Sequence, residues 1–102
     1  MIFKIITEQK AEDDIKKAAK WYFDQSEIAA ENFKTELYNT LSYLQTSITK
    51  HRVHIADIRI LSLKVFPYNI YYIKSEEQNK ILIVALLQHK RDTTFINKRL
   101  NK

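Results

Sequence analysis

The side chains of this chain that could do chemistry are cations and tyrosines, and they gather in one stretch. Between Arg59 and Asp92 lie Arg59, Lys64, the segment Phe66-Pro67-Tyr68 with the only proline, the pair Tyr71-Tyr72 and the cluster Gln88-His89-Lys90-Arg91. Cations of this kind hold anions, either the phosphates of a nucleic acid or the carboxylates of an acidic protein. The overall balance of 17 Lys and Arg against 12 Asp and Glu, a net charge of +5, suits both partners and does not choose between them. A working surface is expected within this stretch.

Other chemistries are excluded by what the chain lacks. There is no cysteine, hence no disulfide or thiolate. His51, His54 and His89 make a poor metal set, since on a strand the spacing of His51 and His54 puts them on opposite faces; no metal site is expected. The chain also has no glycine, which removes the Walker and Rossmann phosphate loops with their φ > 0 residues and close backbone approach, so no nucleotide cofactor of those kinds is expected either. Left-handed backbone positions must fall to Asp57, Asn69, Asn79 or Asn97.

The elements that must position the cations follow from periodicity. At 102 residues, with 45% apolar and 28% charged residues, the chain has room for one domain, residues 1–102, built on one core. No apolar run approaches the roughly 18 residues of a membrane span, and the start, Met1 to Thr7, lacks the pattern of a secretory signal; a cytoplasmic protein is expected. Residues 2–6 read as a short strand, with Thr7 as the cap of a helix whose apolar face is Ala11, Ile15, Ala18, Ala19, Tyr22 and Phe23. Ser26 and Glu27 stop that helix and start a second, with Ala30, Phe33, Leu37, Leu41 and Leu44 on its apolar side to about Thr46. An irregular strand near Val53 precedes two β-rich runs, Ile58 to Phe66 and Tyr68 to Lys74, which Pro67 divides into a hairpin. The run Ile81 to Leu87 is apolar at every position and reads as a central strand covered from both sides. Asp92 and Thr93 look like the cap of a short terminal helix through Phe95, Ile96 and Leu100. The expected fold is α+β, in the order β-α-α-β-β-β with a small terminal helix, the helical hairpin packed on one face of a mainly antiparallel sheet.

Several of these pieces carry a family resemblance: Ala11 with Asp14-Ile15, then Ala30, Phe33 and Leu37, Ile58-Arg59-Ile60-Leu61, Phe66-Pro67-Tyr68, Ile70-Tyr71-Tyr72, Ala85-Leu86-Leu87, Lys90-Arg91-Asp92 and Arg99. Together they resemble the RelE/ParE superfamily of toxins from bacterial type II toxin–antitoxin modules, on the ParE-like branch often labelled plasmid stabilisation proteins. Three positions depart from that pattern. Gln88 stands where the family commonly has histidine, with His89 displaced by one; Thr93 stands in place of a frequent proline, and Ile96 in place of a tryptophan.

The resemblance implies a toxin neutralised by a cognate acidic antitoxin, as a homodimer or a heterotetramer with it, and two kinds of target. RelE-like members cleave messenger RNA on the ribosome without a metal; ParE-like members act on DNA gyrase. Cleavage by 2′-hydroxyl attack needs a base, an acid and a cation at the phosphate, and the groups implied here are Arg59, Lys64, Tyr72 and Arg91. On ideal strands Lys64 faces away from Arg59 and Tyr72 away from Tyr71, which weighs against a nuclease unless a bulge intervenes. With the family histidine replaced, gyrase is the expected target, and the alternatives are the endoribonuclease or a non-toxic antitoxin-binding module.

Every one of these residues also has a plain structural role open to it. Arg91 can pair with Asp14 or Glu12, Arg59 can bridge to a helix carboxylate, and Lys64 and His89 can be solvated. The tyrosines can pack a half-buried sheet. Trp21, the only tryptophan, lies at the edge of its helix's apolar stripe and is either core or an exposed anchor for a partner. The residues expected to meet a target or antitoxin are Trp21, Arg59, Lys64, His89, Lys90 and Arg91.

Overall fold

The computed structural model describes residues 2–47, 53–55, 57–89 and 99. The order is β1 (Lys4–Thr7), α1 (Gln9–Gln25), α2 (Glu27–Thr46), β2 (Val53–Ile55), β3 (Ile58–Ser62), β4 (Tyr68–Ser75) and β5 (Lys80–Gln88). The five strands form one sheet in the order β1-β5-β4-β3-β2, antiparallel except for β1 beside β5. The α+β architecture is the expected one, and β2 is the irregular strand anticipated near Val53. The terminal helix expected from Asp92 onward falls outside the described residues, Arg99 excepted.

A single residue, Ser26, joins the helices. Its N–H donates to the Tyr22 carbonyl (2.9 Å), closing α1, while its hydroxyl accepts from the Ala29 N–H (3.3 Å), opening α2. The expected cap at Thr7 is corrected: Thr7 ends β1, and Glu8 is the N-cap of α1 with no side-chain bond. Thr7 is drawn into the strand because its backbone register with Ile83 continues the parallel ladder. The far end of α2 is tied to the start of the chain by the Phe3 N–H on the Gln45 carbonyl and the Gln45 amide on the Phe3 carbonyl, and to the sheet by the Lys74 ammonium on the Ser47 carbonyl.

Both faces of the central strand are covered. Ile81, Ile83 and Leu86 point to the helices with Phe33, Leu37, Leu44, Ile70 and Tyr72; Val84, Ala85 and Leu87 lie on the other face with Ile58, Ile60 and Tyr71. Each large side chain so buried is worth roughly 1.5–3 kcal/mol of transfer free energy. Strict alternation breaks once, because Tyr71 pairs with Ala85 and Tyr72 with Ile83, leaving Val84 as the extra residue of a bulge. The bulge lets Val84 and Ala85 share one face and returns Leu86 to the helix side.

The β3–β4 connection is longer than the sequence suggests. The run expected to extend to Phe66 stops at Ser62, and Leu63 to Pro67 form a turn, closed by the Leu63 N–H on the Tyr68 carbonyl (2.9 Å) and the Tyr68 N–H on the Phe66 carbonyl (2.8 Å). An aromatic cluster pins it: Tyr22 lies 5.3 Å from Phe33 and 4.9 Å from Phe66, and Phe33 lies 5.4 Å from Phe66 and 5.8 Å from Tyr68, centroid to centroid. Of the four residues named for a left-handed backbone, Asn79 adopts it (φ 54°) in the turn before β5; Asp57 and Asn69 do not, and Asn97 is outside the described residues.

Candidate functional site

Arg59 and Tyr72 are cross-strand partners on β3 and β4, so their side chains share a face, and that face is the one under the helices. Tyr72 is only 1% exposed. Burial pushes its phenol up to about 12; the Arg59 guanidinium offsets part of this and Tyr43 of α2 adds to it. At neutral pH Tyr72 is a protonated phenol in the core, beside a half-buried arginine. Burial likewise raises the phenol of Tyr22, with a smaller contribution from Tyr68.

Lys64 is not on a strand, and the expectation that strand parity sets it opposite Arg59 is corrected: it is an exposed residue of the turn. Its position is fixed from the backbone. Glu36 of α2 lies between the core residues Phe33 and Leu37, and its carboxylate reaches the turn, where Oε2 accepts from the Lys64 N–H at 2.5 Å and both oxygens accept from the Val65 N–H at 3.1 and 3.2 Å. Two successive amides converging on one anion make a concave, partly positive seat, and charge-assisted bonds of this kind are about twice as strong as neutral ones. The Lys64 ammonium has no ion-pair partner among the described residues.

Beside this seat a groove of about 530 Å³ opens between α2 and β3, walled by Tyr43 and Thr40 on the helix and by Leu61 and Val65 on the sheet side. Val65 is 80% exposed at its mouth. The groove is mostly apolar, with a carboxylate and a lysine at one end and the pair of Arg59 and Tyr72 two residues before Leu61 along the same strand face.

The remaining expected residues are dispersed. His89 is exposed; its N–H donates to the Pro67 carbonyl (3.0 Å) and its ring Nε2 lies 3.1 Å from the Tyr68 carbonyl, so it pins the hairpin turn to the end of β5. A carbonyl only accepts, so Nε2 carries the proton. Trp21 is 57% exposed on the hairpin, edge-on to Tyr22 at 5.0 Å, and Phe23 and Ile28 nearby in sequence are also exposed. Lys90 and Arg91 lie outside the described residues. Arg59 and Tyr72 are thus brought together, but under the helices, while Lys64 sits on the turn and Trp21 on the hairpin. Among the described residues no three His, Cys, Asp or Glu side chains gather as a metal site, and no helix is long and apolar enough to cross a membrane.

Two tertiary contacts escaped sequence reasoning. Glu36 carried no signal, because nothing in a helical pattern tells that a turn 28 residues later will present its amides there. Asp14 and Arg99 were both visible as pieces of a pattern, but not as partners: Asp14 was named, with Glu12, only as an acid open to Arg91, which lies outside the described residues, and in the structure Arg99 holds it, with NH1 to Oδ2 at 2.5 Å and NH2 to Oδ1 at 3.2 Å.

Comparison with known proteins places the fold. Residues 5–93 match the family model described as the ParE toxin of the type II toxin–antitoxin system parDE. No curated protein matches the chain. Among solved structures, the chromosomal ParDE toxin–antitoxin system from P. aeruginosa contains a chain superposing with a TM-score of 0.73 at 15% identity, over 85% of this chain and 96% of that one. The isolated E. coli RelE toxin superposes with a TM-score of 0.53 at 12% identity, over 97% of both chains. At such identities the likeness is one of fold.

Proposed function

The chain belongs to the ParE toxin family of type II toxin–antitoxin systems, and on that premise we propose that it is a toxin held inactive by an acidic antitoxin and directed, when released, at DNA gyrase in the cytoplasm. The observation that carries the choice of target is the position of Tyr72. A nuclease acting by 2′-hydroxyl attack needs its acid or base within hydrogen-bond reach of substrate, and this phenol is buried beneath the helices and held protonated. Lys64, on the exposed turn, and Arg59, in the half-buried rim, do not converge with it on an open face. A protein-directed inhibitor has no need of such convergence. The fold likeness to the ParDE chain, closer than that to RelE, supports the same reading.

The test is induced expression without the antitoxin, followed by a supercoiling assay with purified gyrase. Growth arrest with stalled replication, intact messenger RNA and inhibited supercoiling is the expected result. Codon-dependent cleavage of ribosome-bound messenger RNA with replication intact would overturn the target, and harmless expression would leave an antitoxin-binding module.

A further inference from the structure

We propose that the groove between α2 and the β3–β4 turn is a seat for an acidic peptide, closed at rest by Glu36 and opened when a partner's carboxylate takes over the Lys64 and Val65 amides. The identity of the partner, the antitoxin, rests on the reading above; the chemistry of the seat rests on the groove alone.

That the two amides fit a carboxylate is already visible, because one is bound there, at 2.5 to 3.2 Å. Its owner, Glu36, belongs to a helix whose neighbouring residues Phe33 and Leu37 are buried, so only the side chain has to move. Exchanging one carboxylate for another conserves the hydrogen bonds, so what the surroundings of the seat have to offset is the freedom the peptide loses on binding. Two things favour an incoming peptide. The Lys64 ammonium, with no ion-pair partner among the described residues, adds an attraction at the mouth. The groove of about 530 Å³ adds apolar wall from Tyr43, Leu61 and Val65, within the size range of sites that take a side chain out of water. Glu36 makes no ion pair with the Lys64 ammonium in the resting state. A net charge of +5 on the whole chain favours encounter with an acidic segment and makes that encounter sensitive to salt. The preferred occupant is therefore a peptide with a carboxylate next to a medium-sized apolar residue.

The experiment uses the full chain, labelled with 15N, and two probes: acetyl-Glu-Leu-Glu-amide and its neutral counterpart acetyl-Gln-Leu-Gln-amide. The acidic probe should shift the Lys64 and Val65 amide resonances, and the neutral one should not. In Glu36→Gln the resident is a neutral carboxamide, a weaker occupant, and the acidic probe should bind about tenfold tighter; in Lys64→Ala, which leaves Glu36 in place, it should bind several-fold more weakly. The same spectra report whether each variant is folded. Unmoved amides, an equal response to both probes, or unchanged affinity in the folded variants would overturn the seat. Antitoxin binding that leaves these two amides unmoved would also overturn it while leaving the toxin–antitoxin reading in place, whereas a seat that binds the probe in a chain that binds no antitoxin supports the seat and removes that reading.

Discussion

Asp14 and Arg99, 85 residues apart in the chain, complete the edge of the central strand where β1 stops. The last backbone bond on that side is the Glu8 N–H on the Ile83 carbonyl (3.0 Å); one step further the Asp14 carboxylate accepts from the Leu86 N–H (3.0 Å) while Arg99 grips the same carboxylate and donates to the Val84 carbonyl (3.4 Å). Side chains thus stand in for a missing strand beside the bulge at Val84, where both are only 14% exposed. Replacing Asp14 by Ala removes the acceptor of the Leu86 N–H and the carboxylate partner of a largely buried guanidinium, and should cost about 3 kcal/mol in urea unfolding. Asp14→Asn keeps an acceptor for Leu86 but loses the forked pair, and should cost about half as much. Equal losses for the two variants would refute the assignment of separate roles.

Alkaline pH should unfold the protein through Tyr72. Its phenol ionises near 10.0 in the open chain and near 12 in the fold, so below pH 10 both states are protonated and the contribution is fully present. Between these values unfolding releases a proton, and stability falls as pH rises, by roughly 2–3 kcal/mol once pH passes the folded value. Tyr22 acts in the same direction. The check is denaturant unfolding from pH 8 to 12 in the wild type and in Tyr72→Phe; an identical pH slope in the two would exclude Tyr72 as the source.

Glu36→Ala should loosen the turn without unfolding the domain. The Lys64 and Val65 amides lose their acceptor, and their hydrogen exchange should accelerate at least about tenfold, the equivalent of one charge-assisted bond, while amides of β4 and β5 keep their protection. Uniform acceleration across the sheet would mean that Glu36 supports the whole fold instead.

Trp21 should behave as a surface residue until a partner arrives. More than half exposed and touching Tyr22 edge-on, it should cost less than about 1.5 kcal/mol on replacement by Ala, and its fluorescence should be open to quenching by iodide. If the hairpin is an anchor for the antitoxin, binding should shift the emission to the blue and block the quencher. Emission unchanged in a saturated complex would remove Trp21 from the interface.

The sequence by itself determined the elements. The three- and four-residue spacing of Ala11, Ile15, Ala18 and Tyr22, and of Ala30, Phe33 and Leu37, and the apolar run Ile81 to Leu87 reflect a local period and are where the structure has them, while Pro67 marked the start of β4 but not the end of β3. The absence of glycine even pointed to Asn79 as a residue that would carry the left-handed turn. Tertiary structure alone decided which groups meet. Strand parity treated Lys64 as part of a continuous β3, but the aromatic cluster of Tyr22, Phe33, Phe66 and Tyr68 ends the strand at Ser62 and turns Lys64 toward Glu36. One extra residue at Val84 reset the faces of β5, and the end of β1 left a vacancy on its edge that Asp14 and Arg99 fill. Contacts between residues far apart in sequence depend on where strands stop and bulge, and those points are set by packing across the core, which no local pattern contains.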